Sequence, residues 1–148
     1  MKNTILYFLI SILLFAYGCS ANKSNNPTPT TLAPVGTFSG HFEVIHHKSI
    51  TIDSASANIT LDMQAATGFK VTGDTSTVHE GSYGGFIVYQ ANNTIYFQDH
   101  DTYQAAGAAA KVHLNGLYSY SYDGTTLQIG YRSYLDTLIL KYNLKKAN

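Results

Sequence analysis

From Val35 to Lys146 the chain alternates apolar and polar residues with a period of two, and sustained helical periodicity is missing. In GTFSGHFEVIHH, Phe38, Gly40, Phe42 and Val44 share one face. SASANITLDM stacks Ala55, Ala57, Ile59, Leu61 and Met63 against Asn58, Thr60 and Asp62 on the other side. GFKVT, YGGFIVYQ and TIYFQD continue the pattern, and DTLILKYNLKK aligns Leu138, Leu140, Tyr142 and Leu144. Within VHLNGLYSYSYDGTTLQIGY, Asp123-Gly124 separates two alternating runs and predicts a type I′ hairpin turn. Ala91-Asn92-Asn93 predicts a second tight turn.

About eight strands with short connections result, the arrangement of an antiparallel meander. Such a sheet either leaves aggregation-prone edges open or closes on itself. The expectation is therefore an all-β fold, a small antiparallel eight-stranded up-and-down barrel over residues 35–148. A β-sandwich with Greek-key crossovers is the alternative. HDTYQAAGAAAK, residues 100–111, interrupts the pattern and reads as a loop or one-turn helix over a barrel end.

The N-terminus has a different grammar. Lys2 precedes an uncharged run from Ile5 to Tyr17, the length of a signal-peptide core and too short to span a bilayer. The tract AYGC, ending at the chain's only cysteine, resembles the lipobox of bacterial lipoproteins. That resemblance implies a signal peptide over 1–18, cleavage before Cys19, and acylation of Cys19, which would fasten the chain to a membrane. An ordinary secretory signal and an uncleaved anchor are the alternatives. Residues 19–34 carry three prolines and few apolar groups, and read as a flexible tether. With Lys2 removed, 8 Lys+Arg face 9 Asp+Glu. No basic patch remains to pair with phosphates, which argues against nucleic acid as a partner.

VGTFSGHF, VTGDTSTVHEGSYG and KVHLNGLYSYSYDGTTLQI together resemble short Bacteroidota lipoproteins, some of them lipocalin-like. Gly36-Thr37-Phe38 stands where lipocalins carry Gly-x-Trp, in a chain with no tryptophan. The resemblance implies an outer-membrane address, and the absence of acidic residues just after Cys19 implies a periplasm-facing one. Asp53-Ser54-Ala55 and Asp136-Thr137-Leu138 resemble an O-glycan acceptor motif of the same bacteria, with Ser54 and Thr137 as acceptors.

No reacting constellation stands out. His46 and His47 are adjacent, so on a strand they point to opposite faces, and His41 lies far along the same strand. His79, His100 and His113 sit in separate segments without zinc-type spacing, so the histidines read as surface or interface groups. Asp99-His100-Asp101 would hold two carboxylates on one face, yet a strand end favours a turn role. The sequence calls for no catalytic residue, metal or cofactor, and the expectation is a non-enzymatic protein.

Tyrosine is the unusual resource, with 12 residues. Tyr118, Tyr120 and Tyr122 share one face of a strand, and Tyr131 follows the hairpin. Facing inward, they would line a cup for a small amphipathic ligand or simply fill the barrel; facing outward, they would form a stripe for a partner. The favoured expectation is a membrane-tethered small-ligand-binding module. The alternative is a structural or protein-interaction accessory of an envelope complex.

Overall fold

The computed structural model describes residues 32–101 and 111–147. The expected signal peptide, Cys19, the expected tether up to residue 31 and most of the 100–111 segment lie outside the described residues.

Eight strands form one closed antiparallel barrel: Gly36–His47 (β1), Ile52–Gln64 (β2), Gly68–Gly73 (β3), Tyr83–Tyr89 (β4), Thr94–Asp99 (β5), Gly116–Tyr122 (β6), Thr126–Arg132 (β7) and Leu138–Lys146 (β8). Each strand pairs with its neighbour in sequence, and β8 returns to β1 through Phe38↔Lys146 to His46↔Leu138. The up-and-down barrel is the observed fold, and the sandwich alternative fails because there is one sheet and no crossover.

The period-two pattern sets the wall. Phe38, Phe42 and Val44 of β1, Ile59, Leu61 and Met63 of β2, and Leu140, Tyr142 and Leu144 of β8 point inward and are buried. Burying each such side chain contributes about 1.5–3 kcal/mol. Gly84 stands where β4 crosses closest to β5: a Cβ there would come within 1.9 Å of the Gln98 carbonyl. Asn93 closes the β4–β5 hairpin in the left-handed conformation, at φ 51, after a 3-10 turn over Gln90–Asn92.

The β6–β7 turn differs from expectation. Gly124 has φ 97 and Asp123 does not adopt positive φ, so the turn is centred one residue later than a type I′ turn on Asp123-Gly124. The reason is the Asp123 carboxylate, which accepts the N–H groups of Thr125 and Thr126 at 2.8 and 2.6 Å. Those bonds hold its carboxyl below the usual range, the one to Thr126 contributing most.

The barrel ends are unlike. Short hairpins and the Leu32–Val35 arm, with Pro34 buried, meet the lower end. The upper end carries the two longest connections, and these bind each other. Val112 N–H donates to Val78 C=O and Glu80 N–H to Val112 C=O, both at 2.9 Å, around a parallel bridge between His79 and Val112. Lys111 reaches Thr75 C=O at 2.9 Å and Glu80 at 3.1 Å. The bond from Lys111 keeps the Glu80 carboxyl below its ordinary range.

Candidate functional site

The four tyrosines named from the sequence all lie on the inner face. Tyr118 and Tyr120 are buried, Tyr122 is half-buried and Tyr131 is 37% exposed at the upper rim. Their rings join the core. Tyr118 meets Phe97 at 5.8 Å, Tyr131 at 5.7 Å and Tyr142 at 6.1 Å between centroids. Tyr122 packs edge-on against Phe38 at 5.6 Å and donates its hydroxyl to Gly124 C=O. Such edge-to-face pairs add about 0.5–1.5 kcal/mol each beyond their buried area. Side chains occupy the centre of the barrel.

A buried polar chain crosses the upper interior. His79 Nδ1 lies 2.6 Å from the Glu80 carbonyl, so that nitrogen carries the proton; Nε2 accepts from the Tyr142 hydroxyl at 3.0 Å. The Tyr142 ring in turn packs edge-on against Tyr118, 6.1 Å between centroids. Burial drives the His79 pKa down to about 4 and the Tyr118 phenol up to about 12, and it raises the Tyr142 phenol as well. The surface reading of His79 is thus corrected. Its ring is 0% exposed and packs edge-on against Phe42 at 4.7 Å.

Asp99 is the second departure. It ends β5 pointing inward, is 7% exposed, and its Oδ2 lies 2.7 Å from His113 Nδ1. Its Oδ1 accepts the N–H groups of Tyr83 and Asp101, at 3.3 and 3.0 Å. The carboxylate therefore braces β4, β5 and the following connection, and its bond to the Asp101 N–H two residues on is the turn role expected at this strand end. No cluster of three metal-binding side chains occurs among the described residues.

The outer wall holds what the sequence reading missed. Ile87 pairs with Tyr96, and Tyr96 with Leu117, so the three form one row across β4, β5 and β6. All three are exposed, at 53%, 38% and 54%, with Tyr89 beside them at 45%. The outward positions of these strands are otherwise Tyr83, Gly85, Thr94, Gln98, Ser119 and Ser121, with no charge among them. The wall of β1, β2 and β8 carries Glu43, Asp62, Lys141 and Lys145, and Lys70 on β3 stands next to Tyr83. The signal was present in IVY and TIYF, which are apolar on both faces of a strand.

No family model matches the chain, and no curated protein or solved structure matches it either. The reading of function therefore rests on this geometry and on the sequence.

Proposed function

We propose that this protein is a non-enzymatic binding module of the bacterial cell envelope, lipid-anchored through Cys19 to the outer membrane and facing the periplasm. Its barrel engages a partner protein through the uncharged wall of β4, β5 and β6. The observation that carries this reading is the exposed row Ile87–Tyr96–Leu117. Interface centres are depleted in charge and enriched in aromatic groups, as this wall is. The tract AYGC and the apolar run before it support the anchor.

A photoreactive amino acid at Tyr96 in the membrane-bound chain should yield one discrete protein adduct, and the same group at Ser56 on the opposite wall none. Equal labelling from both positions would count against the reading. Mass spectrometry of the mature chain should show an acylated Cys19.

A second reading keeps the small amphipathic ligand and places it at the upper rim. Tyr131 supports it, since its half-exposed ring stands on the inner face beside Tyr118. Native mass spectrometry would then show a bound small molecule that Tyr131→Ala releases.

A further inference from the structure

The barrel wall is incomplete along β4. β3 and β4 are registered only through Phe69↔Gly84 and Lys70↔Tyr83, extended by a 2.7 Å bond from Val71 N–H to Ser82 C=O. That bond fixes the phase: the main-chain groups of Ser82, Gly84, Phe86 and Val88 aim toward β3, and those of the alternate residues toward β5. β3 begins at Gly68, which the register places opposite Gly85. Beyond that point the chain has turned back into β2, so no strand is registered opposite Phe86 and Val88 on that side. β4 itself remains paired with β5 through Tyr89.

A crevice of about 360 Å³ lies against this edge, walled by Ala33 and Val35 of the arm, Ala65 of the β2–β3 turn, and Phe86 and Val88. Every wall residue is apolar. Exposed edges are usually guarded by lysine, proline or a bulge. Phe86-Ile87-Val88-Tyr89 has none of these.

We infer that the β4 edge takes up one extended polypeptide strand from the partner protein, uncharged and with alternating apolar side chains. This rests on the protein-binding reading above and names its mode. The strand would pair with the N–H and C=O groups of Phe86 and Val88 and seat every second side chain against Val35 and Val88. The chemistry of the edge selects the occupant. An acyl chain in the crevice would cover four main-chain polar groups without pairing them, which costs free energy for each group. A second copy of the barrel, edge to edge, is the competing occupant, and a sedimentation measurement separates it. An uncharged strand fits both the crevice and the wall beside it.

The test uses the full chain in detergent and an acetylated, amidated Thr-Val-Thr-Val-Thr-Val-Thr peptide, followed by hydrogen exchange and NMR. The peptide should slow exchange of the Phe86 and Val88 amides by about tenfold or more, saturably. A twin N-methylated along one edge should do so much less. Val88→Pro, which removes an edge donor without touching the β5 ladder, and Val35→Lys, which charges the crevice, should each abolish the effect. Folding is checked by circular dichroism. No protection at millimolar peptide, equal protection by the methylated twin, or a β4-mediated dimer in sedimentation would each overturn the inference. A discrete adduct from Tyr96 alongside a negative peptide result leaves the protein-binding reading standing without strand addition; loss of that adduct removes the reading itself.

Discussion

The Tyr142 hydroxyl lies 3.0 Å from Nε2 of His79, joining the last strand of the barrel to the connection between β3 and β4. The two residues are 63 apart in sequence and both are fully buried. One polar contact therefore fixes the upper connection to the wall from inside the core. Phe42 completes the arrangement, packing on both rings at 4.7 and 4.8 Å.

Acid should loosen this lock. Burial holds His79 neutral in the fold, with a pKa of about 4 against 6.5 for the free side chain. The unfolded chain binds a proton at that site below pH 6.5 and the folded chain does not. Stability tied to His79 is thus fully present above pH 6.5, declines between pH 6.5 and 4, and levels off below. The loss is on the order of 3 kcal/mol. Urea titrations across that range should show a falling midpoint, and His79→Gln should flatten the slope between pH 6.5 and 4. An unchanged slope in the variant would place the acid sensitivity elsewhere.

Removing the hydroxyl tests the bond itself. Tyr142→Phe keeps the ring contacts to Phe42 and Tyr118 and leaves Nε2 of His79 without its donor. A buried acceptor stripped of its partner costs about 1–3 kcal/mol. In a double-mutant cycle with His79→Phe, the two losses should be sub-additive, because the second substitution removes a group already orphaned. Strict additivity in chemical denaturation would show that the pair does not couple.

The barrel was legible in the sequence because alternation is local: Phe38 to Val44 and Ile59 to Met63 reveal their buried faces without reference to any other strand. The inward aim of Tyr118 and Tyr120 could not be fixed that way, since Leu117, Ser119 and Ser121 offer no clear contrast. His79 and Asp99 were misread for a related reason. Each is buried by a partner from a distant segment, Tyr142 for one and His113 for the other, and no spacing rule encodes those meetings. The Ile87–Tyr96–Leu117 row is likewise a product of register across three strands. Its members look like core residues until pairing assigns them to the outer face.

Two neighbouring glycines should respond in opposite ways. A Cβ on Gly84 would meet the Gln98 carbonyl at 1.9 Å, whereas one on Gly85 meets nothing within 4 Å. Gly84→Ala must push β4 away from β5 and should cost about 3 kcal/mol or prevent folding. Gly85→Ala should change stability by less than about 0.5 kcal/mol. Thermal unfolding of both variants side by side checks the register. Equal effects would mean that the close approach at Gly84 is not maintained in solution.

Alkali offers an independent view of the core. Burial pushes the Tyr118 phenol up to about 12, and it also raises Tyr142 and Tyr120. For an acid whose folded pKa is raised, stability is present below its unfolded pKa of 10 and is lost as pH climbs above it, because the unfolded chain ionises first. Phenolate absorbance followed from pH 9 to 13 should therefore rise in two stages. The first stage should be reversible and leave the strand signal unchanged. The inner rings then ionise together with the loss of strand signal in circular dichroism. Tyr118→Phe should leave the first stage intact and reduce the amplitude of the second. A single reversible step near pH 10, with the strand signal preserved, would show that water reaches the phenols in the folded protein and that the barrel interior is open.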